Sequence, residues 1–203
     1  MELTRRQTGA PRRGVGLPLL GLALALAFAP EVAGAVEATA GGYTFPATLQ
    51  VGGDQLQLVG VGLRTKWMVK VYAMAVYQKT ARRDAGHIIR ADEPKVIWIH
   101  MLRTISDEKM RDAIEAGIES NSAAAVRAQI KPLVDQVKAA FSGDVRKGSD
   151  IQFRYRPGQG TDVLIAKATK AKLPGKDFMV AMWSIWFGRH PADGDLRDEV
   201  LGK

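Results

Sequence analysis

The segment Lys95 to Arg103 (KVIWIHMLR) constrains this chain most. Entered from Pro94, it puts Val96, Trp98, His100 and Leu102 on one face of a strand and Ile97, Ile99 and Met101 on the other. A strand that is apolar on both faces has to be covered on both. Any fold for this chain therefore carries a layer above this part of its sheet and another below it.

The neighbouring segments extend that sheet. Lys66 to Gln78 (KWMVKVYAMAVYQ) is rich in β-branched and aromatic residues, lacks Gly and Pro, and is predicted as one long strand. Tyr43–Val51 and Gln55–Leu63 flank Gly52-Gly53-Asp54 and read as a hairpin. The period then changes. Ser106 is an N-cap ahead of Asp107 and Glu108, and Met110, Ala113, Ile114, Gly117 and Ile118 follow at helical spacing. Ser122 is predicted to cap a second helix with a stripe from Val126 to Phe141, kinked or restarted at Pro132 and ended by Gly143-Asp144. Ile151, Phe153 and Tyr155 alternate with polar residues on a half-buried strand, and a turn over 157–161 leads into a return strand, Val163 to Thr169. Lys176–Phe187 is a closing helix ended by Gly188, and Pro191–Leu201 a short polar one. Residues 36–42 (VEATAGG) read as a flexible leader. Strands, two helices, a hairpin and further helices make one α+β domain over 43–203, its helices gathered on one side of a mostly antiparallel sheet.

The N-terminus has a different character. Arg5, Arg6, Arg12 and Arg13 precede an uncharged apolar run, Leu17–Ala29, and Ala33-Gly34-Ala35 supplies small residues at alternate positions. These are the three parts of a secretory signal peptide over residues 1–35, cleaved after Ala35. The run is short of the ~20 residues that span a bilayer, so a retained anchor is the weaker alternative. The expected location is periplasmic or secreted.

Much chemistry is excluded. The chain has no Cys, so it has no disulfide, thiol nucleophile or Cys-based metal site. Its three His lack metal-ligand spacing, and His100 reads as a hydrogen-bonded core residue. No GxSxG elbow is present. Neither a metal nor a cofactor is expected. The net charge of +8 comes from scattered Lys and Arg, which argues against a nucleic-acid partner and for a solvated surface with mild attraction, at most a peripheral contact, for anionic membrane lipid.

One cation stands out. Strict alternation from Leu56 puts Arg64 on the face of Leu56, Leu58, Gly60 and Gly62, where two residues without side chains would border a hollow. A fixed guanidinium there suits a carboxylate or phenolate. The plain alternative is an Arg that reaches solvent from a strand end.

Gly60-Val-Gly62-Leu63-Arg64, Val69–Tyr77, Leu102–Lys109, Tyr155–Thr161 and Ile185-Trp186-Phe187-Gly188 with Pro191 and Leu196-Arg197 together resemble the chalcone isomerase-like family, in particular its bacterial exported branch, across about residues 43–202. The resemblance implies an open-faced β-sandwich: a large antiparallel sheet with helices on one face, a smaller hairpin layer beside it, and a ligand cleft between sheet and helices. Plant members cyclise a chalcone to a flavanone; others of similar fold bind fatty acids without catalysis. The family's arginine after G-x-G-x falls on Arg64. Its catalytic threonine, tyrosine, asparagine and second threonine fall on Tyr72, Ser106, Ala113 and Ile185. The resemblance thus implies a ligand site of Arg64, Tyr72 and Ser106 for a small apolar anion, a fatty acid or a phenolic. Ala113 and Ile185 donate nothing to a developing enolate, which favours binding over the alternative, an intramolecular lyase.

Overall fold

Both faces of β6 (Lys95–Met101) are covered. Ile97, Ile99 and Met101 are buried in a core shared with the helices, and Val96 in a second core with Phe45, Leu56 and Tyr77. The computed structural model describes residues 37–203; the expected signal peptide, residues 1–35, lies outside them. β6 sits at the middle of a seven-stranded antiparallel sheet whose strands lie in sequence order: β3 (Thr48–Val51), β4 (Asp54–Lys66), β5 (Val69–Gln78), β6, β7 (Asp150–Arg156), β8 (Gly160–Ile165) and β9 (Ala168–Leu173). The β5–β6 connection carries α1 (Ala85–Arg90), and the β6–β7 connection carries α2 (Asp107–Asn121) and α3 (Ala124–Ala140). α4 (Lys176–Phe187) and α5 (Gly194–Leu201) complete the helical layer. The opposite face takes a ribbon of β1 (Ala38–Ala40) and β2 (Tyr43–Phe45). This is the α+β architecture, one sheet between a helical layer and a smaller β layer, that the resemblance implied.

Several local expectations change. The segment expected to be a flexible leader forms β1, whose Ala40 is buried on the ribbon-side core. Lys66 belongs to β4 rather than to the next strand, because Trp67 and Met68 form a two-residue turn with φ of 50° and 62°. Ala166 and Lys167 likewise split the expected return strand into β8 and β9. Ser122 ends α2, and α3 starts at Ala124 with no side-chain cap. α3 also runs unbroken through Pro132, whose missing N–H leaves the Ala128 carbonyl without its helical donor; both residues are exposed. His100 is the hydrogen-bonded histidine expected: its Nδ1 lies 2.8 Å from Asp150 Oδ1, and Tyr43 stacks on its ring at 3.7 Å.

β4 carries a β-bulge at Val59: Leu58 pairs with Tyr77 but Gly60 with Val76. Beyond the bulge β3 has ended, and β4 is an edge strand whose free backbone groups need partners. α5 supplies them. Leu63 N donates to Glu199 Oε2 at 2.7 Å, and Arg83 Nε donates to Val59 O at 2.9 Å. The helix comes that close because Gly60 and Gly62 have no side chains. A Cβ on Gly60 would collide with the Val200 carbonyl, and one on Gly62 would lie 2.5 Å from Leu196 O.

At the far end of β6, Lys95 is fully buried and donates to Ile88 O at 2.8 Å and Ile89 O at 3.0 Å, satisfying carbonyls of α1. Trp183 and Tyr155 rings stand 5.4 and 5.8 Å from its ammonium. Burial pushes its pKa down to about 7.

Two outcomes follow. Gly60→Ala should cost about 1–3 kcal/mol in urea unfolding, because α5 must move off β4. Lys95 binds its proton more weakly in the folded chain than in the unfolded one, whose lysines titrate near 10.4. The unfolded state therefore holds the extra proton above pH 7, and stability should rise with pH by about 3 kcal/mol between pH 7 and 9.5. Unfolding curves at the two pH values measure it. Lys95→Met should abolish the rise, and a Lys95→Met protein that keeps it would exclude this cause.

Candidate functional site

Parity along β4 sets the site. Because Val59 is an extra residue, Leu56 and Leu58 face the ribbon-side core while Gly60, Gly62 and Arg64 face the helices. The expectation that Arg64 shares its face with Leu56 and Leu58 is thus corrected. The two glycines do not border a hollow either, since α5 fills their space. The hollow begins one residue pair further on, where Arg64 lies opposite Tyr72 of β5.

There a cavity of about 360 Å³ lies between the sheet and helices α2 and α4. That is the lower part of the roughly 300–1,000 Å³ range of small-molecule sites. Ile99, Ile114, Ile151, Phe153 and Ile185 make most of its wall, and Arg64 and Tyr72 stand at one end. Ser120 and His190 add further polar groups. An outer cleft of about 770 Å³ shares Arg64, Tyr72, Met110, Ala113 and Ala116 with it and opens past Trp67, Arg103 and Lys109. Inner cavity and outer cleft thus meet at the Arg64–Tyr72 pair.

Tyr72 is buried, and its hydroxyl oxygen accepts a hydrogen bond from Trp186 Nε1 at 2.9 Å. Burial raises the phenol pKa; the Arg64 charge and the Trp186 bond oppose this, and Asp193 adds to it. The phenol therefore stays protonated at neutral pH, with its own proton left to donate. The Arg64 guanidinium carbon lies 5.5 Å from the centroid of the Tyr72 ring. No carboxylate among the described residues pairs with Arg64, whereas the nearby Asp193 is engaged as N-cap of α5 by Leu196 N. A charged fork and a neutral hydroxyl therefore converge at the end of an apolar chamber.

Of the three residues expected to form the site, Arg64 and Tyr72 come together and Ser106 does not join them. Ser106 caps α2, its Oγ accepting from Lys109 N at 3.4 Å, and it lines neither the cavity nor the cleft. Met110, one turn further along α2, takes the position over the opening. Ala113 and Ile185 do line the cavity, as apolar wall. The Trp186 indole was not foreseen. It lies in an apolar helix, where nothing in the sequence separates a core tryptophan from one that holds Tyr72. No group of three or more His, Cys, Asp or Glu side chains suited to a metal ion occurs among the described residues.

No curated protein sequence matches this chain. Among solved structures, the fatty-acid binding protein of Arabidopsis thaliana is similar, with a TM-score of 0.65 at 18% identity over 82% of this chain and 96% of that one. The similarity is one of fold. The family model described as chalcone isomerase-like matches residues 37–202. The chain belongs to the chalcone isomerase-like family.

Proposed function

We propose that this protein binds a fatty acid or a similar apolar anion, its carboxylate on Arg64 and Tyr72 and its chain in the cavity, without catalysing a reaction. The observation that carries this reading is the Arg64 guanidinium, unpaired by any described carboxylate, beside a protonated Tyr72 hydroxyl at the end of an apolar chamber. A carboxylate suits both donors, and burial strengthens its bond to Arg64. The binding function of the Arabidopsis protein of the same fold supports the choice of ligand. Cyclising a chalcone instead requires donors aimed at the developing enolate. Ala113 and Ile185 put methyl groups where the catalytic branch has an amide and a hydroxyl.

Titration of the delipidated protein with a long-chain fatty acid tests this. Arg64→Ala should weaken binding about 10- to 100-fold, matching the roughly 1.5–3 kcal/mol of a charged hydrogen bond. Tyr72→Phe should weaken it at least about tenfold, because a hydroxyl that donates to a carboxylate also makes a charge-assisted bond. Unchanged affinity in Arg64→Ala would sink the assignment. Consumption of a chalcone faster than its spontaneous cyclisation, and dependent on Arg64, would make the protein a lyase.

We also propose that the protein is exported, with residues 1–35 removed. N-terminal sequencing of the exported product should read from Val36, and Ala33→Leu with Ala35→Leu should block processing. An N-terminus at Met1 in a membrane fraction would mean a retained anchor.

A further inference from the structure

We propose that the tip of the β4–β5 hairpin inserts into anionic lipid and seats the mouth of the cavity on a membrane surface. The tip is Trp67-Met68, and these side chains are 88% and 97% exposed, with Val69 beside them 37% exposed. Both residues have left-handed backbone, φ 50° and 62°, at turn positions where Gly and Asn are favoured. The turn therefore carries backbone strain at both residues and keeps two large apolar side chains in water. Neither burden is offset within the folded chain, because the side chains touch almost nothing.

Charge selects the partner. Lys66, Lys70, Arg103 and Lys109 are exposed around the tip and cleft, and no described carboxylate pairs with them; Asp112 is the acid among the residues lining the cleft. An exposed indole ringed by cations fits an anionic bilayer. The indole settles at the headgroup level, Met68 reaches the acyl region, and each nearby Lys or Arg adds to the attraction. Lys66 and Trp67 also line the cleft that runs to Arg64 and Tyr72, so a seated tip turns that opening toward the lipid. That an apolar anion then passes between bilayer and cavity rests on the binding reading above; the docking does not.

Quenching of tryptophan fluorescence by vesicles of brominated phosphatidylglycerol tests the docking on the full chain. Of the four Trp, Trp183 and Trp186 are buried, Trp98 is half-buried and none lies in residues 1–36, so contact quenching reads Trp67 even if another segment tethers the chain. The expected result is a blue shift with quenching, lost in Trp67→Phe. Apparent affinity should fall at least tenfold in Lys66→Glu/Lys70→Glu or with brominated phosphatidylcholine. An unquenched Trp67 would overturn the proposal, as for a tip that instead docks on a protein or a second copy. Quenching indifferent to lipid charge would overturn it too. The vesicles contain no free fatty acid, so failure of ligand binding leaves this readout untouched, and an unquenched tip leaves the ligand titration untouched.

Discussion

The single extra residue at Val59 governs the functional end of the molecule. In a strand, facing alternates with period two, so one inserted residue exchanges the two faces for everything that follows. Before the bulge, Leu56 and Leu58 serve the ribbon-side core; after it, Gly60, Gly62 and Arg64 turn to the helices. The two glycines then let α5 approach the backbone of β4, and Glu199 takes up the edge strand's Leu63 N–H. Without the bulge, Arg64 would point into the ribbon layer, away from Tyr72 and the cavity.

From that placement the electrostatics of the site follow. Arg64 is half-buried and unpaired by any described acid, and the Trp186 N–H donates to the Tyr72 hydroxyl oxygen. Trp186 donating to Tyr72, and Tyr72 free to donate onward, form a short polarised chain that ends at the cavity. A neutral phenol carries no charge to compete with the proposed ligand's carboxylate for Arg64. The wall behind them is apolar, which matches the apolar part of the proposed ligand.

The fold was legible where local chemistry and burial agree. The two-sided pattern of Lys95 to Met101, the cap at Ser106 and the apolar run of α4 specify their elements by burial and capping alone. The misses share a cause. Trp67-Met68 and Ala166-Lys167 turn the chain with residues whose propensity is not for turns, so a continuous strand was the natural reading. The bulge at Val59 has no residue signature, and missing it put Arg64 on the wrong companions while leaving its pairing with Tyr72 intact. Ser106 illustrates a different limit: a serine at a helix start can cap or face a ligand, and geometry here commits its oxygen to the backbone.

The two ends of the central strands divide the work. At one end Lys95 is buried against α1 with both neighbouring carbonyls satisfied, and packing leaves little freedom. At the other, β4 and β5 end with a guanidinium that no described carboxylate pairs, a strained turn and two exposed apolar side chains. Local rules of propensity and pairing are broken at this second end, and such violations cluster where a protein meets something outside itself. The antiparallel ladder from Tyr72–Met101 to Gln78–Lys95 joins the ends, so the ordered core holds the register that keeps Arg64 opposite Tyr72.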